Sequence, residues 1–261
     1  ISASPATAGL SLAGASPQVL TLNGAANQIQ TGQLTVGANF TIANTNPGGL
    51  TVLNGATVNV GNATIPFVSG NEFTYNVGGI LNYQNTVPMT TGLEFPLTMN
   101  GNVIVNAGGG TPTVTLNASR TLGASSTLTL TAGRLVTSGA NMLTVNNTAA
   151  AAVTRTNGMV EGPMQRSLPA GGPTAGTWLF PVSKGATYLP FAAQNPTTIG
   201  GATVQTEAFN VGSGGTADGT SISALRATEY WQVSTVSGSF TNALMQAGAT
   251  GLVSGNAVAS S

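Results

Sequence analysis

The most constraining feature of the chain is a short apolar–polar–apolar triplet that recurs between Gly- and Asn-rich corners. Side chains alternate between the two faces of a β-strand, so each triplet predicts a short strand with two residues facing inward and one facing outward. Gly and Asn tolerate the left-handed backbone that tight corners require. The clearest triplets are Leu20-Thr21-Leu22, Leu34-Thr35-Val36, Phe40-Thr41-Ile42, Leu50-Thr51-Val52, Val58-Asn59-Val60, Val103-Ile104-Val105, Val114-Thr115-Leu116, Leu128-Thr129-Leu130 and Leu143-Thr144-Val145.

The spacing of these triplets favours a β-solenoid. Neighbouring triplets are too close for helical crossovers, and 36 glycines and 13 prolines leave few windows for a helix, the best being Ser221–Trp231. Three short strands and three corners would use about 20 residues per coil, which is within the range of stacked repeats. Asn residues at successive corners would form side-chain ladders along the stack. An all-β sandwich stays open as the alternative for this region.

The composition changes near residue 155, which predicts a domain boundary there. Beyond it the triplets give way to larger side chains, including both tryptophans, Trp178 and Trp231, and to most of the charged residues. Longer candidate strands in this part suit a β-sandwich-like domain. The predicted fold is therefore all-β, with a Gly/Asn/Thr-rich, β-helix-like solenoid over residues 1–155 and the second domain over residues 156–261.

Composition also argues against most kinds of chemistry. Charged residues make up 5% of the chain, six basic and six acidic, and there is no His and no Cys, whereas an ordinary soluble domain is roughly a quarter charged. Most general acids, nucleophiles and metal ligands are therefore scarce, and we predict no catalytic residue, no cofactor and no metal. Scattered cations argue against nucleic acid as a partner. No apolar stretch approaches the roughly 20 residues of a membrane helix.

Two segments of the second half carry a resemblance to a known group of proteins. They are Phe180-Pro181-Val182-Ser183-Lys184-Gly185-Ala186-Thr187-Tyr188-Leu189-Pro190-Phe191 and Glu229-Tyr230-Trp231-Gln232-Val233. With its runs of short strands, the chain resembles secreted proteins of Bacteroidota that the type IX secretion system exports. The resemblance implies a β-solenoid followed by a β-sandwich in an adhesin-type protein that is secreted or held at the cell surface. No signal peptide opens the chain, which indicates a removed leader or an internal piece of a longer protein.

Two pairs of residues are candidates for catalysis. Glu72 and Glu94 lie about one coil apart, and they would form a glycosidase-type carboxylate pair if they stacked on one face. Alternatively, each is a lone surface carboxylate. Ser183 and Lys184 are adjacent, so on a strand they would point to opposite faces, which argues against a Ser–Lys dyad.

The aromatic residues of the second domain are candidates for binding a sugar. Trp178, Tyr230, Trp231 and Arg226 are proposed contacts through stacking and cation–π interactions. The competing interpretation makes both tryptophans core anchors. A further set of cations is expected at solvated corners: Arg120, Arg134, Arg155 and Arg166.

These observations predict a non-enzymatic extracellular module with a structural or adhesive role. No charged side chain precedes Glu72, and the net charge is zero. Because such a surface lacks like-charge repulsion, we expect self-association into a homo-oligomer, a filament or a surface layer, with surface glycans as further partners. The alternative is a carbohydrate-binding or carbohydrate-cleaving β-helix protein. The third is ice binding by a flat Thr array, based on Thr113-Val114-Thr115 and Thr127-Leu128-Thr129-Leu130-Thr131.

Overall fold

The computed structural model describes residues 9–12, 17–22, 27–45, 49–62, 68–108, 112–215, 228–248 and 253–255. These residues contain no α-helix, only a 3-10 turn at Ala150–Ala152, so the predicted all-β class is confirmed. Most of the helix candidate lies outside the described residues, and its last two residues begin a strand. The chain divides into two compact units, residues 1–147 with 151–158, and residues 148–150 with 159–261.

The first unit is a parallel β-solenoid of about seven turns, as predicted, with three short strands in each complete coil. The first strands form one parallel sheet: β1 (Gly9–Leu12), β4 (Gly32–Val36), β7 (Ala56–Val60), β10 (Ile80–Tyr83), β13 (Asn102–Asn106), β16 (Leu128–Ala132) and β19 (Val153–Arg155). The second strands are β2 (Gln18–Leu22), β5 (Phe40–Asn44), β8 (Val68–Gly70), β11 (Met89–Thr90), β14 (Thr113–Thr115) and β17 (Arg134–Val136). The third strands are β3 (Asn27–Ile29), β6 (Leu50–Val52), β9 (Thr74–Tyr75), β12 (Thr98–Met99), β15 (Arg120–Leu122) and β18 (Leu143–Val145).

The register of the first sheet fixes the length of each coil. Paired residues are 22 to 26 positions apart, from Ile80 opposite Asn102 to Asn106 opposite Ala132, where the register shifts after Val105. This is slightly longer than the predicted coil because the corners hold more residues than a minimal turn. The triplets behave as predicted: Leu128 and Leu130 are fully buried, whereas Thr129 between them is partly exposed.

Polar side chains join neighbouring coils. The Asn82 amide donates to Oδ1 of Asn59 at 2.8 Å, and the Asn59 amide donates to Oε1 of Gln33 at 2.9 Å. At a corner, the Asn62 amide donates to Oγ1 of Thr86 at 2.7 Å. Each such bond contributes about 1 kcal/mol net, and the bonds tie successive coils together in a fixed register.

Close approach between coils requires glycine at one corner. A Cβ atom on Gly101 would lie 2.4 Å from the carbonyl oxygen of Gly79 and 2.8 Å from Cβ of Tyr75. That same Gly79 oxygen accepts a 2.7 Å hydrogen bond from the Asn102 N–H. Any larger residue at position 101 would therefore push two hydrogen-bonded coils apart.

The second unit is built mainly from antiparallel pairs. Its strands are β20 (Met159–Glu161), β21 (Met164–Leu168), β22 (Thr177–Phe180), β23 (Val182–Lys184), β24 (Thr187–Tyr188), β25 (Phe191–Phe209), β26 (Tyr230–Ala247) and β27 (Val253–Gly255). The long strands β25 and β26 pair with each other, and β21 and β22 both pair with β25. Trp178 and Phe180 are buried in the core of this unit, and the Phe180 and Phe191 rings meet edge to face.

Candidate functional site

A buried cluster of ionisable groups lies inside the solenoid around Arg120. Arg120 begins β15 at an inward position, opposite Leu143, which is the buried apolar residue of the next coil. Tyr75 and Tyr83 reach the cluster from β9 and β10, and Glu94 reaches it from the segment between β11 and β12. We call these four residues, together with Glu72, the Arg120 cluster.

Glu94 is 1% exposed, and its carboxylate is held on both sides. The Tyr83 hydroxyl donates to Oε1 at 2.8 Å, and the Gly92 N–H donates to the two oxygens at 2.8 and 2.9 Å. Burial raises the pKa of Glu94 because the charged form loses its hydration, and these hydrogen bonds only partly oppose the shift. Burial, with a further contribution from the Glu94 charge, also raises the pKa of Tyr75 and of Tyr83.

The Arg120 guanidinium is held mainly by neutral oxygens. Nη2 donates to the Gly92 carbonyl at 3.1 Å and to Oδ1 of Asn117 at 2.5 Å. Nη1 lies 3.7 Å from Oε1 of Glu72, and the guanidinium carbon lies 5.6 Å from the centre of the Phe95 ring. Burial lowers the pKa of Arg120, and the nearby Tyr83, Glu72 and Glu94 oppose that shift.

The predicted carboxylate pair does not share one accessible face. Glu94 is enclosed, whereas the Glu72 side chain is 37% exposed and accepts the Leu97 N–H at 3.1 Å. A glycosidase needs both carboxyl groups beside the scissile bond. The Arg120 cluster instead resembles a structural polar network: Glu94 bonds to Tyr83 and Gly92 of its own coil, and Arg120 bonds to Asn117 of its own coil and to Gly92 of the preceding one.

The second unit contains another buried arginine, Arg166 on β21. Its guanidinium donates to the carbonyl oxygens of Leu179 at 2.8 Å, Ala149 at 3.0 Å and Ala150 at 3.2 Å, and burial lowers its pKa to about 9. The expectation that Arg120 and Arg166 lie at solvated corners was therefore wrong. The reason is that oxygens inside the fold, mostly backbone carbonyls, accept hydrogen bonds from the terminal nitrogens of both guanidinium groups.

The structure describes three of the four proposed sugar contacts. Trp178 is 2% exposed, and its indole N–H donates to the Thr148 carbonyl at 2.9 Å, so it is a core anchor and not a sugar contact. Trp231 is half-buried, and its indole N–H donates to the Leu189 carbonyl at 2.8 Å. Tyr230 is partly exposed on β26. Arg226 lies outside the described residues.

Tyr230 belongs to a patch of aromatic and charged side chains that was not predicted from the sequence. Its ring stacks on Phe209, with centres 4.5 Å apart and planes 8° from parallel. Nζ of Lys184 lies 5.4 Å from the Phe209 ring centre and 3.9 Å from Oε1 of Glu207. We call these four residues the Lys184 patch. By contrast, Ser183 beside Lys184 is buried and donates to the Val160 carbonyl at 3.2 Å, which confirms that the two side chains point to opposite faces.

The structure also bears on the predicted Thr array, on metal sites and on membrane-spanning helices. Thr113 and Thr115 lie on β14, whereas Thr129 lies on β16 of a different sheet, so the two Thr-x-Thr segments do not form one flat array. In the described part of the chain, no group of three or more His, Cys, Asp or Glu residues is arranged to hold a metal ion. Within the same residues there is no helix of the length and apolarity needed to cross a membrane.

Comparison with protein-family models, with curated proteins and with solved structures finds no match to this chain.

Proposed function

We propose that this chain is a non-enzymatic structural or adhesive module of an extracellular or cell-surface protein. The observation that carries the proposal is the seven-stranded parallel sheet, whose outward residues are mostly uncharged and repeat in register from coil to coil. One such row contains Thr35, Ile104 and Thr129, which are partly exposed, and Asn59 and Asn82, which are buried and hydrogen-bonded to each other. The partly exposed members of the row offer hydroxyl groups and shallow apolar contact without charge, which suits a neutral polymer or another uncharged surface.

The environment of the ionisable groups supports a non-enzymatic role. Glu94 and Arg120 are enclosed, and their hydrogen bonds go to residues of their own and the adjacent coil, so they contribute to the core of the solenoid. The extracellular location is supported by the resemblance to Bacteroidota proteins exported by the type IX system. Neither a catalytic group nor a cofactor is part of the proposal.

Retention on insoluble polymers tests this function. The purified chain is incubated with cellulose, chitin and extracellular-matrix proteins, and bound protein and released soluble sugar are both measured. We expect retention on at least one polymer with no release of soluble sugar. Release of sugar that is lost in Glu94→Gln, while Glu161→Gln keeps it, would establish an enzyme and contradict the proposal.

Binding of a soluble glycan at the Lys184 patch is the second candidate function. The Tyr230–Phe209 stack beside Lys184 and Glu207 combines an aromatic surface with both signs of charge, a combination common at sugar sites. On a glycan array, Tyr230→Ala should lose binding, whereas Tyr230→Phe should keep it because the ring remains. Equal binding by both variants would exclude the patch as the site.

A further inference from the structure

The third strands of the solenoid carry one threonine in each of five successive coils. The pairing of these strands aligns Thr51 with Thr74, and it aligns Thr98 with Thr121 and Thr121 with Thr144. Strands β9 and β12 belong to separate sheets, so the alignment consists of one pair and one run of three. We call these five residues the threonine row. It lies on different strands from the two Thr-x-Thr segments at β14 and β16.

Alternation along each strand turns the threonine row toward solvent. Arg120 and Leu122, on either side of Thr121, are both buried, as inward positions should be. Thr74 and Thr98 are exposed, and the other three threonines are partly exposed. The row is therefore a line of hydroxyl and methyl groups on the outside of the solenoid.

The spacing within the threonine row is regular because the fold sets it. Neighbouring strands of a sheet lie about 4.7–4.9 Å apart, so the side chains of each aligned stretch repeat at that interval. Branching at Cβ restricts χ1 of threonine, and the pairing between coils holds the strands in register. Each hydroxyl is both a donor and an acceptor. Such a row matches a partner that is itself rigid, uncharged and periodic, because little conformational entropy is then lost on binding.

The surroundings of the threonine row argue against several other ligands. The threonines carry no charge, and the nearby carboxylate of Glu72 is engaged by the Leu97 N–H, so an ionic ligand is poorly matched. In the described third strands the one aromatic residue, Tyr75, is buried, so no ring offers a sugar a stacking surface. An extended peptide repeats every residue at about 3.2–3.4 Å, which is out of step with the coils.

We propose that the threonine row binds the surface of ice. Ice is a rigid, uncharged lattice in which water molecules present donors and acceptors at regular intervals. Hydroxyl groups held at a constant interval would join that lattice, and the methyl groups beside them would exclude unordered water. Liquid water solvates the same hydroxyls without such order, so binding depends on the regular spacing and not on the number of hydrogen bonds. This function goes beyond the proposed structural or adhesive role and does not depend on it.

Thermal hysteresis and partitioning of the purified chain into a growing ice front test the proposal. We expect the parent to depress the freezing point below the melting point and to become enriched in the ice. Thr121→Lys places a long charged side chain in the middle of the run of three and should abolish both effects. Thr121→Val removes the hydroxyl but keeps the branched shape, and it should lower the hysteresis. Thr115→Lys makes the same change as Thr121→Lys at a partly exposed threonine of β14 in the same coil, and this matched control should leave both effects intact.

Several outcomes would overturn the proposal. They are a parent chain that shows no hysteresis and is excluded from ice, and loss of both effects in Thr115→Lys while Thr121→Lys keeps them. Loss of retention on cellulose or chitin in Thr121→Lys, with no effect on ice, would assign the row to a polysaccharide instead. Loss of self-association in that variant, again with no effect on ice, would assign the row to a second copy of the chain.

Circular dichroism separates loss of ice binding from loss of fold. A spectrum of Thr121→Lys identical to that of the parent shows that the variant is folded, and Thr98→Lys, at an exposed position, takes its place if Thr121→Lys does not fold. A parent chain that is retained on an insoluble polymer but does not bind ice keeps the proposed function and contradicts this inference.

Discussion

The Tyr83 hydroxyl donates a 2.8 Å hydrogen bond to Oε1 of Glu94 in the interior of the solenoid. Burial raises the pKa of Glu94 above its ordinary value of 4.5, so the folded chain holds this proton more tightly than the unfolded chain. The stability gained from that proton is fully present below pH 4.5 and is lost as the pH rises through the folded pKa. The free energy of unfolding should therefore fall as the pH rises from 4.5 through the folded pKa of Glu94.

Glu94→Gln should remove that dependence, because glutamine keeps an acceptor for Tyr83 but cannot ionise. Tyr83→Phe should extend the falling limb to higher pH, since the Tyr83 hydrogen bond favours the charged carboxylate. Urea unfolding of the parent, Glu94→Gln and Tyr83→Phe over a series of pH values gives the slope of the free energy of unfolding against pH for each protein. Identical slopes for the parent and Glu94→Gln would show that Glu94 is not the titrating group.

Substitution of Gly101 should destabilise the solenoid. In Gly101→Ala the new Cβ would overlap the Gly79 carbonyl oxygen, which is a backbone atom and cannot rotate away. We therefore expect the free energy of unfolding to fall by about 1–3 kcal/mol. Gly139 has no atom within 4 Å of an added Cβ, so Gly139→Ala is the control. Its effect should stay within about 1 kcal/mol, in the stabilising direction. Hydrogen exchange of solenoid amides measures the stability of both variants. Equal losses of stability in Gly101→Ala and Gly139→Ala would contradict the close approach of Gly101 to Gly79.

Arg120 should be sensitive even to a conservative replacement. Lysine carries one ammonium in place of the planar fork, so Arg120→Lys cannot reach both the Gly92 carbonyl and Asn117. We expect a loss of about 2 kcal/mol from the groups left unpaired. Arg155, which is half-buried and donates to the Gly158 carbonyl 2.8 Å away, is the comparison. Arg155→Lys should lower the free energy of unfolding by under about 1 kcal/mol in the same urea assay. A larger loss in Arg155→Lys than in Arg120→Lys would refute the network.

The two tryptophans should differ in their accessibility to a quencher. Trp231→Phe leaves only the buried Trp178, whose fluorescence should be blue-shifted and poorly quenched by acrylamide. Trp178→Phe leaves the half-buried Trp231, which should be quenched more efficiently. Stern–Volmer slopes of the two single-tryptophan proteins make the comparison, and equal slopes would place both indoles in similar environments.

The solenoid was predictable because its signal is local. Alternation within a triplet such as Leu128-Thr129-Leu130 decides which side chain faces inward without knowledge of the partner strand. The coil length was less accurate, since it depends on corners whose backbone is set by contacts such as Gly101 against Gly79. Corner residues carry no periodic pattern from which that length could be read.

The two buried arginines and the Lys184 patch were not predictable for a different reason. The partners of Arg166 are carbonyl oxygens of Ala149, Ala150 and Leu179, and every residue type has such an oxygen. The Tyr230–Phe209 stack depends on pairing between strands separated by twenty residues of intervening chain, from 210 to 229. No residue pattern marks either arrangement before the fold is known.

The parallel in-register pairing of the first sheet makes one coil the unit by which the solenoid can change in length. Because Gln33, Thr57 and Ile80 occupy the same register position in successive coils, a whole coil can be removed or duplicated and its neighbours still meet compatible side chains. The coils that hold the Arg120 cluster are the exception, since their side chains bond to specific partners in the adjacent coil, as Arg120 does to the Gly92 carbonyl and Glu72 to the Leu97 N–H. Homologues of this chain should therefore differ in the number of coils on the amino-terminal side of the Arg120 cluster, whereas the coils that hold the cluster should be retained.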